Sequence, residues 1–128
     1  MAEHVTVNSS LDNLHWGYFD AALEPVVEVR SGDRVTLNCV SGAPDVMPTE
    51  GFEILPDLAR LHRERKPRLP GHILTGPVAV ADAEPGDVLE VRIVDVQLRQ
   101  DWGYNAIRPL AGALPEDFHE TRILHIPL

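Results

Sequence analysis

Two stretches of the chain alternate apolar and polar residues on both sides of a glycine-containing turn. The first is "PVVEVRSGDRVTLNCV", Pro25–Val40, and the second is "PVAVADAEPGDVLEV", Pro77–Val91. Alternation with period two predicts a half-buried strand, and a tight turn between two such runs predicts an antiparallel hairpin. We therefore predict two similar β-hairpins.

Residues that are typical of tight turns stand between the two strands of each predicted hairpin. Pro85 suits the first central position of a type II turn, and Gly86 supplies the positive φ of the second. Asp33 and Asp87 each follow a turn glycine, where an aspartate usually accepts hydrogen bonds from nearby backbone N–H groups. We interpret both aspartates as turn caps rather than as functional groups.

The second hairpin's outer strand, "DVLEVRIVDVQLR", changes phase along its length. Leu89, Val91 and Ile93 lie on one face, and the apolar set then shifts to Val94, Val96 and Leu98. Either a β-bulge near Ile93-Val94 or burial of both faces would explain the shift.

In the first hairpin Val35, Leu37 and Cys39 share a face, which we predict to be the core face. Cys39 would then be a buried and unreactive thiol.

A short helix is predicted in "DLARLHRERKPRLP", because Leu55, Leu58 and Leu61 have helical spacing before Lys66-Pro67. Its basic residues form either a solvated face or a docking patch for an acidic partner; they are Arg60, Arg63, Arg65, Lys66 and Arg68.

Two further stretches lie near the C-terminal end. We predict a long loop over "RQDWGYNAIRPLAGALPEDF", 99–118, in which Trp102 either lines a pocket or covers the core. The apolar "TRILHIPL", 121–128, predicts the opening of another strand.

These elements predict a mainly β protein, with antiparallel β-hairpins in a sandwich- or barrel-like sheet arrangement and one or two short helices. A length of 128 residues, with 44% hydrophobic and 24% charged residues, predicts a single β-rich domain over 1–128.

Charge and cysteine usage narrow the classes of partner. The 11 Lys+Arg against 20 Asp+Glu give a formal net charge of −9, which disfavours nucleic acid and anionic membranes as partners. No apolar run approaches the roughly 20 residues that span a bilayer, and the N-terminus as written does not resemble a secretory signal. The single cysteine agrees with a reducing compartment. We expect a cytoplasmic protein.

Familiar catalytic signatures are absent: the sequence has no phosphate loop, HExxH helix, paired-cysteine site or GxSxG elbow. Of six histidines, His72 stands beside Gly71 and Pro70 where a strand begins, and backbones often approach closely at such a position. His72 is either a ligand or acid/base group, or a structural histidine.

A family resemblance covers nearly the whole chain. It rests on "HILTGPVAVADAEPGDVLEVRIVDV", "DWGYNAIRP", "LPEDF" and "RILHIPL", preceded by "HWGYFDAALEPVVEVRSGDRVTLNCVSG". Its most specific elements are the His-x-x-Thr-Gly-Pro segment at His72–Pro77 and the Ala-Glu-Pro-Gly-Asp turn at Ala83–Asp87. Together these closely resemble the N-terminal part of the acetamidase/formamidase family.

The resemblance implies a β-rich hydrolase that converts short linear amides such as formamide and acetamide into ammonia and the carboxylic acid. It also implies a divalent metal ion such as zinc. Family members are more than twice as long, and their later Gly-Asn-x-Asp and Gln-Gly-Asp-Gly-Glu segments have no match here. We therefore expect the chain alone to be inactive and to need a C-terminal half or partner chain.

Candidate site residues follow from the chemistry of amide hydrolysis, which needs an activated nucleophile, a stabilised oxyanion and a proton for the amine. We assign acid/base roles to His72 and Asp101, and metal ligation to His72 and Asp45. Tyr104, Asn105 and Trp102 are assigned to binding of the small amide substrate.

The competing hypothesis is an inactive β-rich interaction module derived from such an amidase. The apolar tail, the Trp102 and Tyr104 loop and the basic helix are surfaces that a longer relative could cover. We expect the chain to form a homo-oligomer, most simply a two-fold dimer, or to bind a complementary chain resembling the family's C-terminal part.

Overall fold

The computed structural model describes residues 2–128 and shows a mainly β protein, with eight short strands and one α-helix in that range. The chain divides into two compact units. Unit 1 comprises the described part of Met1–Ser41 together with Pro56–Val96, and unit 2 comprises Gly42–Leu55 and Gln97–Leu128. The prediction of a single domain over 1–128 stays a prediction.

Unit 1 holds six strands in three separate pairs. β1 pairs with β4 in parallel, β2 pairs with β5 antiparallel, and β3 pairs with β6 in parallel. The strands are β1 (His4–Val7), β2 (Leu14–Trp16), β3 (Val27–Val29), β4 (Arg34–Leu37), β5 (Ile73–Thr75) and β6 (Val78–Val80).

The first predicted hairpin is wrong in its pairing, although its turn forms. The Asp33 N–H donates to the Arg30 carbonyl, and the Asp33 carboxylate accepts hydrogen bonds from the backbone N–H groups of Arg30 and Glu3, both at 2.8 Å. These two bonds hold the pKa of Asp33 below its usual range, the bond from Glu3 contributing most. Because Glu3 directly precedes β1 and Arg30 directly follows β3, Asp33 holds the start of β4 beside β1 as well as closing the turn after β3.

The second hairpin also fails to pair, although its type II turn is confirmed. Asp87 donates its N–H to the Glu84 carbonyl at 3.1 Å, Glu84 donates its N–H to the Asp87 carboxylate, and Gly86 has φ 107°. An earlier turn intervenes: Ala83 donates to Val80, and Asp82 has φ 63°. The chain is therefore redirected before it reaches the proline-glycine turn, and β6 pairs with β3.

The stretch after this turn, Val88–Val96, contains neither the predicted bulge nor two buried faces. It has no strand partner among residues 2–128, and its apolar side chains are exposed. Neither explanation of the phase change is therefore correct, because both assumed that this stretch is packed.

The predicted helix is confirmed as α1 (Pro56–Glu64). Leu58 and Leu61 are fully buried in unit 1, and Asp57 in the first turn accepts a hydrogen bond from the Ser9 hydroxyl. An aspartate suits this position because the N-terminal turn leaves backbone N–H groups unpaired.

The basic residues at the C-terminal end of α1 have local partners. Arg60 donates to Glu64 at 2.9 Å, which lowers the pKa of Glu64, and Arg65 lies 3.8 Å from Asp12. These exposed ion pairs are typical of a solvated face. Docking of an acidic partner here stays a prediction.

The core assignment of Cys39 is wrong, because this side chain is exposed. Leu37, on the same predicted face and still within β4, is 44% exposed as well, so this face is not the core face. The buried side chain at this point is Val40, at 4% exposure.

Unit 2 is built on the antiparallel pair β7 (Trp102–Ile107) and β8 (Arg122–Pro127). The predicted strand at the C-terminal end is confirmed. The loop predicted over 99–118 is wrong in part, because Trp102–Ile107 is a strand whose register places Tyr104 opposite His125.

The core of unit 2 centres on Trp102, which is 0% exposed. Its indole N–H donates to the Glu53 carbonyl at 2.9 Å, and its ring meets His125 edge to face at 5.7 Å. His125 Nε2 is in turn 2.8 Å from the Val46 carbonyl oxygen, so Pro44–Val46, a 3₁₀ turn, is held against β8.

Within residues 2–128, α1 is nine residues long, and no helix has the length and apolar character needed to cross a bilayer.

Candidate functional site

His72 lies directly before β5 and has an exposed side chain. Its carbonyl accepts a hydrogen bond from the Gly17 N–H at 3.0 Å. Gly17 has φ 92°, and a Cβ there would lie 1.8 Å from the Leu69 carbonyl oxygen. The backbones on either side of His72 thus approach as closely as the sequence suggested, and the imidazole remains accessible to a ligand.

Two buried polar atoms lie on the β2–β5 pair, whose strand β5 follows directly after His72 in the chain. His15 Nδ1 and Thr75 Oγ1 are buried and have no hydrogen-bond partner among residues 2–128. Both belong to the β2–β5 pair, in which His15 stands opposite Leu74. A buried polar atom without a partner is uncommon and is a candidate contact for a ligand. The sequence offered only the motif position of Thr75 as a signal.

Aromatic and cationic side chains surround the same strand pair. Trp16 stacks on His62 with ring centroids 5.7 Å apart, and its indole N–H donates to the Gly71 carbonyl. Tyr18 meets the His15 ring at 5.5 Å and carries the Arg68 guanidinium 4.8 Å above its own ring. These contacts fix the backbone that precedes His72 and leave the His72 side chain in solvent.

Unit 2 carries the other predicted residues on or beside β7. Asp101 precedes the strand, and Trp102, Tyr104 and Asn105 lie within it. Trp102 is buried, whereas Tyr104 is 42% exposed and Asn105 is also exposed. Because successive strand residues point to opposite faces, Tyr104 and Asn105 would approach a ligand from opposite sides of β7.

Asp45 lies in the 3₁₀ turn of unit 2 and forms an ion pair. Its carboxylate accepts a hydrogen bond from the Arg108 guanidinium at 2.9 Å, and both side chains are largely exposed. A metal ion bound by Asp45 would therefore compete with Arg108 for the same oxygen.

Asp101 lines an open pocket in unit 2 with a volume of about 480 Å³. Its wall combines two carboxylates and one guanidinium with apolar groups. The lining residues are Glu53, Leu55, Leu98, Arg99, Gln100, Asp101 and Leu128. The pocket is open to solvent, so these residues by themselves do not enclose a molecule as small as formamide.

The described residues do not form a metal site on their own. Among residues 2–128 no three His, Cys, Asp or Glu side chains converge closely enough to hold an ion. Catalytic zinc takes about three protein ligands. His72 belongs to unit 1, and Asp45 and Asp101 belong to unit 2. The metal and catalytic assignments stay predictions.

Comparison with known proteins gives one family and one curated relative. The family model described as "Acetamidase/Formamidase family" matches residues 8–123. A Schizosaccharomyces pombe (strain 972 / ATCC 24843) protein named "Putative formamidase C869.04" is 55% identical over 38 residues, which are 28% of this chain and 9% of the relative. No solved structure matches the chain significantly.

The matched segment thus spans less than a tenth of the curated relative's length, whereas the family model covers most of this chain. The resemblance seen in the His-x-x-Thr-Gly-Pro segment and the Ala-Glu-Pro-Gly-Asp turn is confirmed, because both lie within the matched residues. The chain belongs to the acetamidase/formamidase family.

Proposed function

We propose that this chain forms part of a hydrolase that cleaves the carbon–nitrogen bond of short linear amides such as formamide and acetamide. The observation that carries the proposal is the family match over residues 8–123. The printed name of the yeast relative, "Putative formamidase C869.04", points to the same substrate class.

His72 is the residue to which we assign the central role. Its imidazole is exposed at a position where the backbone is held by Gly17, so it can transfer a proton to or from a bound amide without disturbing the sheet. Asp101, at the edge of the unit 2 pocket, is the second acid/base candidate. Tyr104 and Asn105 remain the proposed amide contacts, and the buried Trp102 is proposed to support substrate binding through the strand that it anchors.

The reaction needs more groups than these residues supply. A nucleophile, an oxyanion site and a proton donor must meet at one carbonyl carbon, and the unit 2 pocket is too open to hold such an arrangement. We propose that further polypeptide of the family, in the same chain or in a partner, completes the site. His72 and Asp45 are each proposed as a ligand of a divalent metal ion, and each would need further ligands from that polypeptide.

An interaction module is the second candidate function, and one observation favours it. Val88–Val96 exposes six apolar side chains and has no strand partner within residues 2–128. Such a surface is typical of a protein–protein contact. The four sheets are two-stranded and form no closed barrel among residues 2–128, and the sandwich-like arrangement that we expect would be completed by strands added here. We also propose a cytoplasmic location, with which the single cysteine agrees.

The first experiment measures ammonia release from formamide and acetamide by the purified chain. We expect no turnover on the order of 1 per second, the low end of ordinary enzymatic rates. Turnover at that rate would show that the residues present suffice, and would contradict our view that the site is incomplete.

The second experiment tests the amidase assignment itself in a chimera. Residues 8–123 replace the segment of the yeast relative that contains the 38 matched residues, and the unmodified relative is assayed for ammonia release in parallel. We expect the chimera to hydrolyse formamide, and His72→Ala to abolish this activity while Glu116→Arg, a change at an exposed loop residue, leaves it unchanged. A chimera that unfolds cooperatively on heating but releases no ammonia would overturn the proposal.

A further inference from the structure

The chain around Arg68 and His72 is tied to the end of β2 by three hydrogen bonds. The Arg68 N–H donates to the Trp16 carbonyl at 3.3 Å. The Gly17 N–H donates to the His72 carbonyl at 3.0 Å, and the Trp16 indole N–H donates to the carbonyl of Gly71. The backbone on which Arg68 and His72 stand is therefore fixed against β2, whereas both of their side chains are exposed.

The Arg68 guanidinium lies over the face of Tyr18, with its Cζ atom 4.8 Å from the ring centroid. This contact attracts the positive charge to the ring and engages none of the N–H donors of the guanidinium in a hydrogen bond. No carboxylate among residues 2–128 lies within ion-pair distance of Arg68, whereas Arg60 and Arg108 each have one. The aromatic ring thus holds the Arg68 side chain in place, and its donors remain available to a ligand.

The ring of Tyr18 also meets the ring of His15 edge to face, with centroids 5.5 Å apart. His15 Nδ1 is buried and has no hydrogen-bond partner within residues 2–128. His4 and His125 differ from it, because in each of them Nε2 is hydrogen-bonded to a protein oxygen. We call Arg68, Tyr18 and His15 the Arg68 cluster. It combines a cation that has no counterion with an imidazole nitrogen that has no partner.

The register of the β2–β5 pair places His72 beside this cluster. Trp16 stands opposite Ile73, so the next pair is Gly17 and His72, which share a hydrogen bond. Residues two apart along a strand share a face, and His72 therefore lies diagonally across the strand pair from His15. Diagonal neighbours of this kind are about 7–8 Å apart, and Gly17 has no side chain to fill the space opposite His72.

We propose that the Arg68 cluster binds a short-chain carboxylate, such as formate or acetate, next to His72. A guanidinium is planar and can hold the two oxygens of a carboxylate with two parallel hydrogen bonds. Leu74, which stands opposite His15, offers an apolar side chain to the acyl end of the ligand. The identity of the acid rests on the proposed function, since hydrolysis of formamide or acetamide releases formic or acetic acid.

The charge of the cluster favours a small monoanion over other small ligands. Arg68 brings one full positive charge, and the nearby Arg65 already lies 3.8 Å from the carboxylate of Asp12. Phosphate carries more negative charge than a carboxylate and is typically recognised by clusters of arginines. A neutral amide lacks the charge that strengthens hydrogen bonds to a guanidinium. The cluster should therefore prefer acetate to both inorganic phosphate and acetamide.

The experiment is a titration of the whole chain with sodium acetate, followed by NMR spectra of the backbone amides at an ionic strength held constant with sodium chloride. We expect saturable shifts at Gly17, Tyr18 and Arg68. The Kd should be on the order of 1 mM, because so small a ligand makes few contacts at an exposed site. Inorganic phosphate and acetamide should each bind at least about tenfold more weakly.

Charge variants assign the binding to Arg68. Arg68→Gln should weaken acetate binding at least about tenfold, because it removes both the charge and the paired donors. Arg68→Lys keeps the charge without the planar fork and should also weaken binding, by about threefold or more. Arg63→Gln is the matched control, since Arg63 is an exposed arginine of α1 and its loss changes the charge equally. Thermal melts should be the same for all three variants and the unmodified chain.

Several results would overturn the carboxylate site. They are an acetate affinity that survives Arg68→Gln, an equal loss of affinity in Arg63→Gln, phosphate binding as tight as acetate binding, and no saturable shift up to about 100 mM acetate. None of these measurements depends on hydrolysis. A chimera without amidase activity would contradict the proposed function and leave the binding data unchanged, whereas a chain that does not bind acetate would contradict the site alone.

Discussion

Trp102→Phe is expected to destabilise unit 2 without acting on substrate directly, because Trp102 is the most deeply buried large side chain there. The change removes about three ring atoms, which at about 0.8 kcal/mol for each CH₂-sized group amounts to about 2 kcal/mol. It also leaves the Glu53 carbonyl without the indole N–H that lies 2.9 Å away, at a further cost of about 1 kcal/mol. The free energy of unfolding should therefore fall by about 3 kcal/mol, within the range of large-to-small core substitutions.

Urea denaturation followed by far-ultraviolet circular dichroism measures this loss. Tyr104→Phe is the matched control, since Tyr104 lies on the same strand but is 42% exposed and loses only a hydroxyl; its effect should stay within about 0.5 kcal/mol. A loss below about 1 kcal/mol for Trp102→Phe would refute the reasoning. Unchanged stability together with weaker acetamide binding would instead show that Trp102 lines a substrate pocket.

Two further outcomes follow from contacts in unit 1. In the chimera with the yeast relative, His72→Ala should abolish binding of zinc or of a small amide, measured by calorimetry. In the chain alone it should lower the free energy of unfolding by no more than about 0.5 kcal/mol, because the His72 carbonyl rather than its side chain holds Gly17; a large loss of stability with intact binding would make His72 structural. Asp33 has a lowered pKa, so its contribution to stability is present above the unfolded pKa of about 3.9 and is lost as the pH falls through the lower folded value. Thermal melts of the unmodified chain and of Asp33→Asn should therefore converge in acid, and equal melting temperatures at pH 7 would contradict the role of this carboxylate.

The features that depend on neighbours in the chain were predictable from the sequence. The turn at Glu84–Asp87, the helix Pro56–Glu64 and the strand Arg122–Pro127 each form where the pattern placed them. Proline and glycine restrict φ locally, and helical spacing of leucines depends on one turn of backbone only. The family is also identified by such short segments, since the turn and the His72 motif both lie within the matched residues.

The candidate site was predictable only residue by residue. The sequence singled out His72 from the glycine and proline beside it, and the close approach of Gly17 to Leu69 explains why that position is special. The sequence gave no reason to select His15. Its ring nitrogen Nδ1 is buried without a hydrogen-bond partner, and only the folded structure shows this. The sequence also placed Tyr104 and Asn105 in a loop, where they could act together, whereas a strand separates their faces.

The choice of partner strands was decided by tertiary structure. The alternating pattern of Pro25–Val40 and Pro77–Val91 indicates which residues are extended and which face is apolar. A strand with this pattern could pair with several different neighbouring strands. The Asp33 carboxylate bonds to Glu3 beside the β1–β4 pair, and a turn at Asp82 separates β6, which pairs with β3, from the Pro85–Gly86 turn. These contacts join residues that are distant in sequence, so no local pattern reports them. The sequence by itself determined the strand-forming segments, the turns and the family, and only the tertiary structure decided which edges are paired and which, as in Val88–Val96, remain open.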